Sequence, residues 1–594
     1  MRPVPSSKHI LSIVIITVIS LLSGYVAFQK DTLTPEQENY AASAYKRHFP
    51  DSMPYDSLFG KINAKGRLPQ MNTPVFTALL EMSLIPTDYK DPTLPYKIGV
   101  IPFTFIFLCG MYSLLWQLCR SSTIACYTAV LSMTVIRTLG DWSWGIGTLE
   151  SITPAGIVVA FAPIVLISYL QNKNRLQVVI SFMAIGVLGN ISFIAAFNFM
   201  LGLLAVQFWN TGFKPKALIR AACCVGAYLI GCLPYILYFI SLKSSIAAST
   251  PDQIIPAKIV ICALQTSNSE LLSTRIFEEL LNLSIYFAIL VILSALFLWK
   301  TRKFKPHGAG NWITFSAATC GVGLLFHALS LLYAKIFHTT PPVVAFIQAS
   351  SWVLLGLYIL FALGLTHLFR MVRRSRPIVR WGLTIFMLLW MVPSANLQFF
   401  RHQVYQQVAN LVLEDKQPIR LQEIQERKIK QEEYIQIATW ARSKENVPKE
   451  SIFLSNSPAF RIYSGRSLLV CQDDILYFYY LSPWLLKDWT QLLFKQSRCL
   501  AGNMTQIEAL SWISKIANRS QYNQISNWYM IIPSRNVATW KNPDQKGIQE
   551  VKNERWGKYW RVFKIQFEEV SKIPSLYRSP KIKAALSKPP KLNS

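Results

Sequence analysis

The residues best suited to chemistry in this sequence are acids set between apolar runs. Asp31, Glu36, Glu38, Asp51 and Asp56 fall between Gln29 and Tyr96, after the first hydrophobic segment, and Asp141 and Glu150 share a later polar gap with Arg137. A carboxylate pressed against a bilayer is partly desolvated, which suits it to take a proton from an acceptor hydroxyl, and neighbouring cations can stabilise a departing phosphate. The competing reading is that the first-loop acids are solvated charges balanced by Lys46, Arg47, Lys61, Lys65 and Arg67.

The later gap runs from Arg137 to Glu150 and mixes Arg137, Asp141 and Glu150 with Trp142, Trp144 and three glycines where a helix would leave the membrane. The two tryptophans fit interfacial anchors. An arginine beside two carboxylates on a pliant backbone also fits a phosphate or sugar site, with Asp141 as a second catalytic candidate. Inside the apolar runs stand His327, Asn190, Asn198 and Gln348. His327 either packs as a hydrogen-bonded core group or lines a substrate cavity. No series of acids runs through these segments, which speaks against a proton-coupled transporter. The ten cysteines form no CxxC pair and no Cys/His spacing suited to a metal, so no zinc or redox centre is expected. Cys471 and Cys499, outside the apolar runs, either pair or stay free.

The elements that must position these groups are membrane helices. At 594 residues, 52% hydrophobic, 15% charged and with a mean hydropathy of +0.29, the chain is too apolar for a soluble enzyme of its length. Many of the Lys and Arg behind its net charge of +29 fall in short loops between apolar runs, where they set orientation, and the rest lie in the C-terminal third, whose excess of base suits an anionic membrane surface or a phosphate-bearing lipid, so nucleic acid is not the expected partner. The first run, Ile10 to Phe28, can cross about 30 Å of hydrocarbon at about 1.5 Å per residue and reads as a retained anchor with a cytoplasmic N-terminus. Pro74 opens a shorter run from Val75 to Ile85, expected to be an interfacial helix. Further spans are predicted at Lys97 to Leu118, Ser122 to Leu139, Ala155 to Leu170, Leu176 to Ile191, Phe193 to Phe208, Ala217 to Ser241, Leu281 to Trp299, Trp312 to Ala334, Pro342 to Leu368 and Val379 to Pro393. That makes about eleven. Alternation supports the order, because the predicted inner loops collect Arg120, Lys173, Arg175, Lys214, Lys216, Lys300, Arg302, Lys303, Lys305, Arg370, Arg373, Arg374 and Arg376.

The expected organisation is an anchor at residues 1–28, an outer loop at 29–96, a helical bundle at 97–395, an exoplasmic α/β domain at 396–570 and a basic Pro- and Lys-rich tail at 571–594. The C-terminal domain opens with a charged helical stretch from Val404 to Arg442. It continues through short β-like runs at Ser451 to Ser455 and Ser467 to Cys471, with Phe460-Arg461-Ile462-Tyr463-Ser464-Gly465-Arg466-Ser467 between them. Arg461 and Arg466 suit an anionic sugar, a diphosphate, or a structural pairing with Asp473 and Asp474.

An acidic outer loop, an interfacial helix, about eleven spans and a C-terminal soluble domain together resemble the GT-C superfamily of membrane glycosyltransferases. The segment Thr34-Pro35-Glu36-Gln37-Glu38-Asn39-Tyr40-Ala41 is similar to the Asp-Glu-x-x-Tyr-type segment of its aminoarabinose and mannosyltransferases, without the adjacent Asp-Glu pair. The Phe460 to Ser467 run is similar to a domain of unknown function in bacterial polytopic proteins. The resemblance implies transfer of a sugar from a polyprenyl-phosphate carrier to an exoplasmic acceptor at a bacterial inner membrane. Glu36, Glu38, Asp51, Asp56 or Asp141 would be the catalytic carboxylate, acting as base or acceptor clamp, and Arg137, Glu150, His327, Arg461 and Arg466 would contact substrate. The lipid-linked sugar would be donor substrate, with no resident cofactor and the need for a divalent metal left open. The alternatives are a transporter or flippase for a lipid-linked or polysaccharide substrate and a non-catalytic envelope assembly protein.

Overall fold

A computed structural model describes residues 7–30, 32–60, 74–134, 136–137, 143–171, 175–244, 309–337, 346–372, 377, 381–382, 385, 419–474, 478, 485–519, 522–537 and 547–567. Among these the protein is mainly helical with a small C-terminal sheet. In chain order the first elements are α1 (Ser7–Phe28), α2 (Pro35–His48), α3 (Pro74–Leu84), α4 (Leu94–Cys119) and α5 (Ser122–Ser132), followed by the two-stranded ribbon β1 (Ile136–Arg137) and β2 (Ser143–Trp144). Then come α6 (Pro154–Gln171), α7 (Arg175–Gly189), α8 (Phe193–Thr211), α9 (Pro215–Gly231), α10 (Leu233–Ser244), α11 (Ala309–Phe337) and α12 (Val353–Val372). Two compact units divide the chain, and the boundary falls within α2, between Gln37 and Glu38.

The first unit is a helical assembly with an apolar core and apolar side chains on its outer surface as well. Helix α1 turns Ile10, Leu11, Val14, Val18, Leu21 and Leu22 outward and buries Ser12, Ser20, Ser23 and Gly24. That is the inverse of a water-soluble helix and the pattern expected where hydrocarbon is the solvent and small or polar residues mediate packing. The hydroxyls of Ser12 and Ser122 lie 2.9 Å apart, and Ser122 reaches Tyr112 at 3.0 Å, so polar groups link α1, α4 and α5.

Among the described residues, five helical segments are long and apolar enough to cross a membrane: Ser7–Phe28, Leu94–Cys119, Phe193–Thr211, Gly310–Leu329 and Ala349–Arg370. A sixth is counted if α9 and α10, bent by 64° at Cys232, form one broken span. The expected single span from Ala217 to Ser241 is therefore interrupted. Pro234 supplies no backbone donor near the break, and Asn190 bridges it, donating to the Gly231 carbonyl at 2.9 Å and accepting from the Tyr235 N–H at 3.0 Å. A side chain thus satisfies backbone groups that a bent helix leaves bare. Gly186 and Gly231 allow α7 and α9 to meet backbone to backbone, since a Cβ at Gly186 would stand 2.1 Å from the Tyr228 carbonyl oxygen.

The expected spans at Ser122, Ala155 and Leu176 appear as shorter apolar helices, Ser122–Ser132, Pro154–Leu170 and Leu176–Gly189. The expected short helix after Pro74 is α3. The expected span at 281–299, and all of that at 379–393 but residues 381, 382 and 385, lie outside the described residues.

The second unit joins described residues of 38–71 to those of 418–594. Its elements after α2 are α13 (Ile419–Arg442), β3 (Ser451–Leu454), α14 (Ala459–Ser464), β4 (Ser467–Leu468), α15 (Leu486–Leu500), α16 (Gln506–Ala517), β5 (Asn527–Pro533), α17 (Ser534–Val537), β6 (Ile548–Val551) and β7 (Trp560–Ile565). The sheet order is β4-β3-β5-β7-β6, parallel through β4, β3 and β5 and antiparallel at β7 and β6. Strand alternation sends Phe453, Tyr529, Ile531 and Val562 into one core with Tyr434, Ile437, Ala438 and Ala441 of α13 and Phe460 of α14. Met530, of opposite parity, meets Cys499 of α15. Covered on both faces, this sheet is the expected α/β fold, and it draws in a stretch of the first loop that the sequence boundaries had assigned elsewhere.

Candidate functional site

A cavity of about 500 Å³ opens in the second unit, lined by Glu38, Arg427, Lys430, Tyr434, Ser457 and Trp560 among others. Its walls follow from local sequence. Thr34 caps α2 in a reciprocal pair, its hydroxyl accepting from the Gln37 N–H at 3.3 Å while the Gln37 side chain accepts from the Thr34 N–H at 3.0 Å, and Pro35 takes the first helical position. Glu38 therefore sits in the first turn of a well-defined helix.

On α13, Arg427, Lys430 and Tyr434 recur at helical spacing and share the face that lines the cavity. Glu433 on the same helix is buried and accepts the backbone N–H groups of Gly557 at 2.8 Å, Tyr559 at 3.0 Å and Trp560 at 2.9 Å. That grip fixes the start of β7. The Trp560 indole N–H then donates to the Lys430 carbonyl at 3.0 Å, and the Lys430 ammonium stands 5.2 Å from the Trp560 ring centroid. Tyr434 lies 5.2 Å from the same tryptophan, ring to ring, and bonds the Ser455 hydroxyl.

Glu38 is the ionisable centre of this wall. Burial pushes its carboxyl up to about 8, the Asp473 carboxylate adds to the rise, and the Ala459 N–H offsets it only in part. Burial raises Asp473 as well. A carboxyl at about 8 is mostly protonated at neutral pH, with roughly one in ten ionised, and is a far stronger base than a solvated glutamate. Beside it the cavity offers two cations, hydroxyls, the amides of Asn456 and Asn536 and two aromatic faces, a lining suited to a hydroxylated, negatively charged ligand.

The other expected site residues go elsewhere. Asp56 is fully buried, and its Oδ2 accepts from Arg461 Nε and from the Leu468 N–H, both at 2.8 Å, while Oδ1 accepts from the N–H groups of Leu58 at 2.9 Å and Phe59 at 3.1 Å. Arg461 also grips Asp474 with two bonds of 2.7 Å. Burial alone would favour loss of the Arg461 proton, but Asp474 and Asp56 outweigh it and hold the guanidinium well above its ordinary range. The result is a buried acid–base–acid clasp: the Asp474 half of the structural pairing expected for Arg461 is present, while Asp56, expected as a catalytic candidate, is the second acid in place of Asp473. Arg466 is spent on main-chain carbonyls, donating to Ala441 at 2.8 Å and Val447 at 2.7 Å, where it caps the end of α13.

Glu36 and Asp51 are exposed. Glu150 pairs with Lys30, whose charge overcomes burial and holds the carboxyl below its ordinary value. Gln37 donates to the carbonyls of Leu149 at 2.8 Å and Ile152 at 3.0 Å, so the first and second polar gaps do meet at that point. His327 is half-buried on α11. Arg137 lies in β1, and its side chain, like Asp141 and Trp142, falls outside the described residues. Trp144 is not an interfacial anchor: it is fully buried, donates to the Ser132 carbonyl at 3.3 Å and packs edge-on against Trp352. Cys471 and Cys499 are both buried free thiols.

Glu38 is among the candidates expected from the sequence, whereas Arg427, Lys430 and Trp560 are not. The spacing of Arg427, Lys430 and Tyr434 on one helical face was the available signal for α13. Nothing local in the sequence points to Trp560, which reaches the cavity through sheet pairing. Among the described residues there is no cluster of three or more potential metal-ligating side chains. Compared with known proteins, the chain matches no family model and no curated sequence.

Proposed function

We propose that this protein is a membrane glycosyltransferase of the GT-C kind, moving a sugar from a polyprenyl-phosphate carrier to an exoplasmic acceptor, with Glu38 as the base. The observation that carries the reading is that Glu38, one of the first-loop acids singled out by resemblance, lines a cavity and is tuned toward neutral pH. Glycosyl transfer with inversion needs one base to take the acceptor proton and positive charge near the leaving phosphate. Glu38 supplies the first, and Arg427 and Lys430 supply the second. Trp560 and Tyr434 offer ring faces to a sugar. The reading includes about eleven spans, a cytoplasmic N-terminus and an exoplasmic second unit, as loop charges suggest.

The test uses membrane vesicles containing the full chain, charged with polyprenyl-phosphate-linked sugars made from radiolabelled nucleotide sugars. Release of free polyprenyl phosphate should fall by about a hundredfold or more in Glu38→Gln, with Glu38→Asp retaining part of the rate. A Glu38→Gln protein that transfers at the wild-type rate sinks the assignment.

A further inference from the structure

The second unit also carries a surface that the cavity chemistry does not use. Helices α15 and α16 bury Leu486, Trp489 and Cys499 on one and Leu510, Ile513 and Ile516 on the other. Their opposite faces are cationic. Lys487, Arg498, Lys515 and Arg519 are exposed, and Lys495 is half-buried between them. Burial, and then the charges of Lys515 and Arg519, push the Lys495 ammonium down, so these cations crowd one another. Of the two acids of these helices, Asp488 stands in the first turn of α15 and Glu508 is held in the capping box with Thr505.

Two exposed apolar side chains belong to the same two helices. Large hydrophobic residues exposed in the described part of the second unit are Ile429, Phe494 and Ile507, and two of those three belong to α15 and α16. Phe494 is 47% exposed, with the Arg498 guanidinium 5.9 Å from its ring centroid, and Ile507 is 40% exposed.

We propose that the outer face of α15 and α16 docks on an anionic lipid surface, with Phe494 and Ile507 entering the headgroup layer and the surrounding cations meeting lipid phosphates. Crowded like charge marks a face that gains by meeting an anionic surface. Single apolar side chains flanked by long cationic ones are the composition of an interfacial helix. A bilayer is the favoured occupant because the same chain has helices long and apolar enough to cross one, which raises the effective concentration of lipid to a tethered value. The inference is independent of the glycosyl-transfer reading.

Hydrogen exchange of the full chain in nanodiscs tests it. In discs of neutral phosphatidylcholine and discs with roughly a third phosphatidylglycerol, peptides covering 486–519 should exchange about threefold or more slowly in the anionic discs. Lys495→Glu/Lys515→Glu/Arg519→Glu should abolish that difference while exchange in β3 and β5 stays as in wild type. If that triple variant loses its core protection, Phe494→Ser, which keeps all the charges, should reduce the difference by itself. Equal exchange in the two lipids would overturn the proposal, as would protection produced only by added polyglutamate, the outcome for an acidic protein partner.

Discussion

Glu38 and Asp56 are eighteen positions apart and both are buried, yet their partners give them different work. Asp56 meets four donors, including the fully charged Arg461, and belongs to a clasp whose loss leaves buried charge unpaired. Arg461→Met or Asp56→Asn should lower the stability of the detergent-solubilised protein by about 3–5 kcal/mol; a thermal shift worth less than about 1 kcal/mol would show that the clasp does not hold the unit together. Glu38 meets an acid and one backbone donor, so burial dominates and its folded value of about 8 exceeds the unfolded 4.5. The folded state then binds more protons between these values. The stability this proton confers is complete below pH 4.5 and is lost as pH rises toward 8. Glu38→Gln, which mimics the protonated form, should therefore match wild type in acid and become progressively more stable than it up to pH 8, with an upper limit near about 5 kcal/mol. A melting-temperature gap that stays constant from pH 5 to 9 would contradict the proton assignment.

Three helix boundaries decide where the side chains of the elements go. Arg466 closes α13, Gly465 ends α14 in the left-handed region at φ +66°, and Asn190 bridges the bend between α9 and α10. A Cβ at Gly465 would lie 2.6 Å from the Tyr45 hydroxyl, so Gly465→Ala combines backbone strain with a clash and should cost about 1–2 kcal/mol or more. Asn190→Leu leaves a carbonyl and an amide without partners and should lower the melting temperature by an amount worth roughly 1–3 kcal/mol; an unchanged melting temperature would mean that the bend needs no side-chain partner. These boundaries also show what was readable in advance. Thr34, Pro35 and Gln37 announce the start of α2 because capping is local. The break at Cys232 was not readable as one, because its partner Asn190 is distant in sequence and the apolar run continues across it. Trp144 misled for a similar reason: a tryptophan at the end of an apolar run suits an interface, but a partner from a distant segment, Trp352, takes it into the core.

Across the whole molecule, composition reveals the long apolar helices of the first unit, and short β-like runs reveal the strands of the second. The placement of residues after Glu38 with the C-terminal unit depends on pairs such as Asp56 with Arg461, hundreds of positions apart, which no local pattern encodes. The proposed exoplasmic placement of the second unit is open to direct labelling. Cysteines introduced at Ser52 and Ser457, with Cys223 and Cys262 replaced by Ser, should react with a membrane-impermeant maleimide in intact cells above the level of the parent lacking them; reaction only after permeabilisation would put that unit on the other side. The central claim is that Glu38, as a base, governs sugar transfer in the cavity, and the pH dependence of the rate tests it most directly. Polyprenyl phosphate release by wild type should rise with pH to a plateau above about 8, with that limb absent from the residual rate of Glu38→Gln. A wild-type rate that falls through the same range, or an identical limb in Glu38→Gln, would contradict it.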